Sequence, residues 1–444
     1  MKGPTVLAVL GVLALGMGPF SWADDQPEAA PGKLDIGGAV SADDRASTDA
    51  SPQLTFEEYR LEVTADARPT DAARFHGEAW VRSAGLAPSS LASASALFST
   101  TGTAPVSLDL REAYFELHGF LFDFVDLKVG RQRIAWGTAD KLNPTDNVNA
   151  LDLSDPWDFG RHLGSDGAQL TVYAGGVAIT GLAVAQFTPA VLPTGPWQTA
   201  LMPLDPATTS VTLAPLSLAD RITAGVRVKA NLLGYDVSVS YLYGRQSLPV
   251  ADSVKIAATG MTADLVYPRQ QVFGADLAGS LQGVGVWAEA ALFLPSRVAM
   301  STDTTGIGGG VSTSTALAST PYVKYVVGGD YTFPGNVYVN AQFVHGLFQE
   351  AGSDALHDYL SAGLDWRVRD EKVKISPLNL MVEVGDWKDV PHNYAILAAP
   401  SVTFYPMDNA ELAVGAHLVQ ATRSTLYGAL NGQDEVFLHA RYSF

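Results

Sequence analysis

The sequence predicts an all-β chain: an antiparallel transmembrane β-barrel of about 18 strands, with 16 as the alternative count. Three observations predict it. Segments of about 10–14 residues alternate apolar and polar side chains, which is the length of a tilted membrane strand with its ends. The connections between these segments alternate in length, short and then long. Charged residues make up only 17% of the chain, against ~25% in soluble domains, so part of the surface meets something other than water.

The chain opens with Met1-Lys2, runs apolar from Thr5 to Phe20, and continues Ser21-Trp22-Ala23. A basic start, a short apolar core and a small-residue site predict a signal peptide over 1–23. The apolar run is shorter than the ~20 residues that a spanning helix needs. Residues 24–32 are a polar, Pro-containing lead, and 33–444 are the predicted barrel. Cysteine is absent, which excludes a disulfide scaffold, thiolate metal sites and Cys nucleophiles. The net charge of −18 argues against nucleic acid as a partner.

The first segment is Leu34 to Ala42. In the next, Gln53 to Ala65, Tyr59, Leu61 and Val63 alternate with Glu58, Arg60 and Glu62. The ARPTDA stretch, 67–72, makes a short turn. Arg74 to Ser83 sets Phe75, Ala79 and Val81 against Arg74, His76, Glu78 and Arg82. A Ser/Ala-rich loop, Gly85 to Pro105, leads into a hairpin within Leu108 to Gly137. Its first arm sets Ala113, Phe115 and Leu117 against Glu112, Tyr114 and Glu116. Its second arm sets Val125, Leu127 and Val129 against Asp126 and Lys128. Period-two alternation of this kind gives a strand one apolar and one polar face.

A second long loop runs to Ser165. Gly167–Gly175 and Val177–Phe187 follow, then a Pro-rich loop from Thr188 to Leu218. Asp220–Asn231 and Asp236–Arg245 join across Gly234. After another long loop come Arg269–Leu281 and Gly283–Leu294, then a Gly/Ser/Thr-rich loop, Pro295 to Ser319. Tyr322–Phe333 and Asn336–Phe348 meet at Pro334-Gly335-Asn336, a tight-turn sequence. Asp358–Asp370, Lys374–Trp387, Tyr394–Tyr405, Glu411–Thr422 and Glu435–Phe444 complete the set. Short connections follow even-numbered segments and long ones follow odd-numbered segments. An even strand number with loops sorted onto two rims is the layout of a bacterial outer-membrane barrel, with both termini periplasmic.

The chain ends Glu-Val-Phe-Leu-His-Ala-Arg-Tyr-Ser-Phe, with Val436, Leu438, Ala440, Tyr442 and Phe444 on one face. This end resembles the closing-strand signal of outer-membrane proteins, which implies recognition by the outer-membrane assembly machinery through Phe444. The run Val129 to Gly137 (VGRQRIAWG) resembles a strand end of alginate-export-type barrels and related outer-membrane families. Alginate export implies a strongly basic lumen, whereas acids and bases are mixed here.

A single charge at the midplane of a lipid-facing surface costs ~2–4 kcal/mol. The charges on the polar faces therefore belong to an aqueous interior. They are Glu58, Arg60, Glu62, Arg74, Glu78, Arg82, Glu112, Glu116, Asp126 and Lys128 on one wall, with Arg227, Lys229, Asp365 and Arg367 on others. Such rows predict a pore lining that sorts solutes by charge; the alternative is a salt-bridged ladder that stiffens or plugs the wall. Arg131 and Arg133 break the alternation. Either Gly130 is a bulge that turns them inward, or they lie at the outer rim beside lipopolysaccharide.

The 138–163 loop is rich in Asp and Asn, including Asp140, Asn143, Asp146, Asp152, Asp155 and Asp158. Three readings stay open for it: Asx turns, a constriction folded into the lumen, and a Ca²⁺ site, since hard cations want clustered oxygens. There is no GxSxG, HExxH or P-loop, and the eight His are scattered. No enzyme, cofactor or metal is expected. Aromatic strand ends such as Tyr241, Tyr331 and Tyr442 read as interfacial girdles. The expected function is an outer-membrane channel for passive diffusion of small hydrophilic or charged solutes; a barrel that binds or sheathes a partner protein or export machine is the alternative. Expected partners are outer-membrane lipid, lipopolysaccharide and a small solute, and an oligomer is compatible.

Overall fold

In the computed structural model the alternating segments pair edge to edge until the sheet meets itself. The structure describes residues 32–84, 106–193, 197 and 209–444. The expected signal peptide, the polar lead up to residue 31 and the 85–105 loop lie outside them. The strands are β1 (Leu34–Ser47), β2 (Leu54–Thr70), β3 (Ala73–Ala84), β4 (Ser107–Leu117), β5 (Val125–Gln132), β6 (Ser165–Ala174), β7 (Val177–Val184) and β8 (Thr209–Leu213). They continue as β9 (Thr223–Leu232), β10 (Tyr235–Arg245), β11 (Val250–Ala257), β12 (Gly260–Val266), β13 (Arg269–Leu281), β14 (Val284–Pro295), β15 (Val298–Gly306) and β16 (Val311–Leu317). The last are β17 (Tyr322–Phe333), β18 (Val337–His345), β19 (Asp358–Val368), β20 (Val373–Val384), β21 (Tyr394–Ala398), β22 (Ser401–Met407), β23 (Ala410–Ala421) and β24 (Glu435–Ser443).

The wall is a closed antiparallel barrel of 18 strands. β21 and β22 are two halves of one strand, broken at 399–400, and both pair with β20 and β23. The ring closes because β1 pairs with β24 as well as with β2. Phe444 and Gly38 extend that seam with backbone hydrogen bonds of 3.0 and 2.9 Å. A Cβ at position 38 would lie 2.2 Å from the Glu62 carbonyl oxygen and 2.9 Å from the Phe444 ring, so the seam needs glycine there. Tight turns at 71–72, 175–176, 233–234 and 282–283 share one rim with the first and last strand ends. The long connections share the other.

Alternation sorts the faces. Leu61, Val81, Phe273, Leu292, Val327, Leu360 and Val414 are exposed on the outside, the belt that lipid requires of such a wall. Val436, Leu438, Tyr442 and Phe444 are exposed together along the last strand.

Several local expectations are corrected. β2 runs on through most of the ARPTDA stretch, because its pairing with β3 continues past a register shift to Thr70. Gly130 is not a bulge: its register with both β4 and β6 is unbroken. Its backbone sits at φ +135°, and a Cβ there would meet the Ala113 carbonyl oxygen at 2.3 Å, so backbone conformation and close strand approach together account for the glycine. Arg131 consequently points outward and pairs with Asp166 at 2.8 Å. The bulge lies at Arg111, where the β3–β4 register slips between Glu78/Ala79, so that Arg111 and Glu112 are both buried. An extra residue re-aims one side chain in this way.

The largest correction concerns three stretches read as loops: 188–218, 246–268 and 295–319. They contribute a second, five-stranded sheet ordered β16-β15-β11-β12-β8. The β11–β12 and β15–β16 hairpins lie side by side through a parallel pairing, and β8 runs parallel to β12. Their Gly and Ser content resembles loop sequence, but Val, Thr and Ile at the paired positions favour strands.

Val327→Arg places a charge on the outer belt and is expected to destabilise the barrel by about 2–4 kcal/mol in urea unfolding from lipid vesicles. Thr171→Arg faces the interior beside Thr180 and should stay within about 0.5 kcal/mol of the parent.

Candidate functional site

The connection between β5 and β6, residues 133–164, does not leave the barrel. Four strands of one wall hold it. Arg45 of β1 binds Asp155 through two bonds of 2.8 and 2.7 Å. Glu58 of β2 pairs with Arg161 at 3.3 Å, Arg82 of β3 donates to Ser154 at 3.1 Å, and Arg111 of β4 pairs with Asp152 at 2.9 Å. Across the ring, the Glu289 carboxylate of β14 accepts from the Thr138 backbone N–H, from that of Ala139 at 2.6 Å and from the Thr145 hydroxyl at 2.9 Å. Asn340 and Gln342 of β18 donate to Asp140 at 3.3 and 3.2 Å. Contacts to opposite walls put the segment across the lumen.

Apolar residues fill the space on both sides of it. Trp157, Phe159, Leu142 and Ala139 pack with Val326, Val344, Tyr359, Met381, Leu397 and Val419 of the wall, and with Leu347, Tyr427 and Leu430 of the long connections. Ile134, Trp136 and Val148 pack with Leu182, Val184, Leu242, Val272, Phe293 and Tyr322. Trp157 stacks on the ring of His417 at 4.1 Å and 11°, and Phe437 covers the other side of that imidazole at 4.7 Å. The barrel therefore carries a hydrophobic core inside its own lumen.

The six Asp and Asn candidates of the segment do not converge. Asp152 and Asp155 go to the two arginines named above, and Asp140 to β18. Asp146 binds Arg133 and Asp158 binds Arg161 at 3.1 Å. The Asn143 carbonyl closes a turn with the Asp146 N–H at 3.1 Å. Asp152 and Asp155 also accept backbone N–H bonds two residues on, at 3.3 and 3.0 Å, as Asx turns do. Turn formation and insertion coexist, and the separated carboxylates leave calcium without a shared cage.

Three of the predicted lining residues, Glu58, Arg60 and Glu62, lie in this interior within a packed ion-pair chain, and most of the others have separate partners. Arg161, Glu58, Arg60, Glu62 and Arg441 connect in series at 3.3, 3.1, 2.8 and 2.7 Å. Arg60 and Arg111 lie over the Trp80 ring at 4.3 and 4.0 Å, so the indole quadrupole offsets their mutual repulsion. Arg82 pairs with Asp109, and Arg74 donates to Asp66 at 2.9 Å. Glu78 accepts from the Trp80 ring N–H at 2.6 Å. Glu116 sits opposite Lys128, whose ammonium lies 3.7 Å from the Tyr114 ring centroid. Asp126 pairs with His118 at 3.1 Å. Arg227 pairs with Asp276 at 3.5 Å, and Asp365 accepts from Ser376. Lys229 and Arg367 are near the short-turn rim, half exposed, paired with Asp236 and Glu371 at 3.5 and 3.7 Å.

Sequence reasoning missed Arg45, Trp80, Arg111, Glu289, Lys324 and Trp157. Glu289 and Lys324 carried a legible signal, because each is a lone charge within an apolar run, the first in the middle of β14 and the second near the start of β17. Arg111 carried none, since only its bulge turns it inward. All eight His lie within 4.0 Å of a carboxylate. His345–Asp358 and His417–Glu435 face each other directly across neighbouring strands.

A cleft remains between the segment and the β13, β14, β17 and β18 wall, lined by Asn143, Asn147, Arg245, Gln270, Lys324 and Phe348 among others. Within the segment, burial opposes ionisation of Asp152, but the Arg161 and Arg111 guanidiniums pull its carboxyl down to about 2. Burial and the neighbouring Arg133 push His162 down to about 4. Burial raises Asp158 despite Arg161.

No family model matches the sequence, and no curated protein does either. Solved structures similar to it include OmpT, an outer membrane protein of Vibrio cholerae, in a loop-deleted and an in-vitro folded form. Each is 9% identical with a TM-score of 0.42 and spans 93% of this chain and 99% or 97% of the other. Salmonella typhi OmpF in complex with daunomycin is 9% identical, with a TM-score of 0.43 and coverage of 93% and 97%.

Arg111→Ala removes the guanidinium paired with the fully buried Asp152, leaving it to Arg161 and the Ser154 hydroxyl, and should weaken seating of the segment by about 1–3 kcal/mol. Hydrogen exchange is expected to accelerate across 133–164 while the wall strands keep their protection. Acid should act in the same direction. The neutral imidazole of seated His162 takes up its proton only near pH 4, whereas a released one does so at about 6.5. Lowering the pH from 6.5 toward 4 therefore favours release, and His162→Asn should flatten that part of the pH profile of exchange.

Proposed function

We propose that this chain is an outer-membrane channel through which small hydrophilic or charged solutes diffuse passively, with the 133–164 segment setting the passage. A closed wall, apolar outside and charged within, supports the outer-membrane location, with the short-turn rim and both strand termini on the periplasmic side. The observation that carries the reading is the segment itself. It crosses the lumen on ion pairs and hydrogen bonds to opposite walls, and it leaves a cleft of mixed polar and apolar lining beside β13, β14, β17 and β18. Its anchors are reversible contacts rather than covalent ones, so the passage is adjustable. Because the interior arginines are matched by carboxylates, the lumen favours compact solutes of either sign over a polyanion such as alginate.

The second reading, a barrel that binds or sheathes a partner, draws on the five-stranded sheet beyond the wall. β16 and β8 are its two edges, and an edge strand offers unpaired backbone groups to another chain.

Purified protein in a planar bilayer is expected to conduct in small steps. The Arg111→Ala chain should conduct in larger or more frequently open steps. Silence from both, across voltage and salt, would sink the channel reading, and a stoichiometric protein partner retained through purification would favour the scaffold.

A further inference from the structure

Where the long connections gather over the lumen, two carboxylates and an imidazole meet. Glu350 and His357 belong to the 346–357 connection, and Glu383 stands near the end of β20. Their donor atoms all lie within 4.8 Å of one another. His357 Nδ1 is 2.6 Å from Glu383 Oε1 and 3.7 Å from Glu350 Oε1. We propose that Glu350, His357 and Glu383 bind a divalent first-row transition metal ion of the Zn²⁺ class. This goes beyond the proposed passage of solutes and departs from the expectation, read from sequence, of no metal.

Two observations separate the cluster from an ordinary acidic patch. Glu383 is fully buried, yet its Oε2 has no hydrogen-bond partner. Its Oε1 is already occupied, accepting from the Leu426 N–H at 3.2 Å and facing His357. A buried carboxylate oxygen left bare is unfavourable until a donor or a cation meets it. The second observation is orientation. Glu350 Oε2 accepts from the Leu347 and His357 N–H groups at 2.9 and 3.1 Å, and the Tyr359 hydroxyl donates to Oε1. Outer partners of this kind hold a ligating carboxylate in one pose. Around them Leu347, Met381, Tyr427 and Leu430 are buried, a dry shell that strengthens ion binding.

The donor set selects the ion. One imidazole nitrogen with two carboxylates suits zinc and its neighbours better than calcium or magnesium, which take oxygen donors. Bond lengths of ~2.0–2.2 Å put neighbouring tetrahedral ligands about 3.3–3.6 Å apart, close to the His357–Glu350 separation. The metal would replace the proton shared by His357 and Glu383, widening that contact by ~1 Å, and Glu383 Oε2 is a second available donor. A bound ion would tie the 346–357 connection to β20, and through Leu426 to the 422–434 connection.

The test uses the full chain, refolded and stripped with EDTA, then titrated calorimetrically with Zn²⁺ and separately with Ca²⁺. One Zn²⁺ per chain, weak or absent Ca²⁺ binding and a raised melting temperature are expected. X-ray absorption of the loaded protein should show nitrogen and oxygen donors including one imidazole. Glu383→Gln and the more exposed His357→Gln should each weaken Zn²⁺ about 100-fold or more, with the barrel fold checked by circular dichroism. Failure of the folded parent to take up Zn²⁺ overturns the site and leaves a hydrogen-bonded triad. Equal uptake by parent and both folded variants also overturns it, by placing the ion elsewhere.

Discussion

In lipid no water is at hand for an unpaired peptide group, so every strand needs a neighbour on both sides. The rest of this structure follows from that constraint. It forces β1 onto β24 and sets glycine at position 38 so that the terminal Phe444 can complete the seam. A closed ring in turn has only two rims. Tight turns occupy one, and everything that is not wall must gather at the other or go inside.

What goes inside does not behave like the lining of an open tube. The 133–164 segment turns the lumen into a protein interior, with apolar clusters on both of its flanks and ion pairs at its anchor points. Several of those pairs are removed from water, where desolvation offsets much of the attraction. Their contribution is positional: each guanidinium accepts one carboxylate geometry, and together they fix where the segment lies. The apolar packing of Trp157 and Phe159 supplies the adhesion that the charges do not.

The wall was legible because its physics is local. A period of two along Val226–Val228 is written in adjacent residues, and the sorting of connection lengths is visible without any contact. The interior was less legible because its physics is long-range. Asp152 and Arg111 look unrelated along the chain, and a single register slip decides that they meet. One clue did exist. The stretch Tyr394-Ala-Ile-Leu-Ala-Ala is apolar at every position, the pattern of a strand buried on both faces, and it lies beside the lumen core. The eight histidines looked scattered until cross-strand register set four of them, His76, His345, His417 and His439, directly opposite an acid. The second sheet stayed hidden because Thr, Ser and Gly serve strands and loops alike, and composition alone does not choose.

That second sheet bears on the order in which the molecule assembles. Its strands come from three separate connections, and the pairings that unite them, β11 with β15 and β8 with β12, are parallel and distant in sequence. These pairings are favoured once β7 through β17 have brought the three connections to a common rim, because closing such loops in a free chain costs entropy. The sheet is therefore favoured late, and its formation reports that the six wall strands from β7 to β17, a third of the ring, are already in place. A chain inserted with a shifted register would carry a complete set of hairpins and still fail to knit them together above the wall.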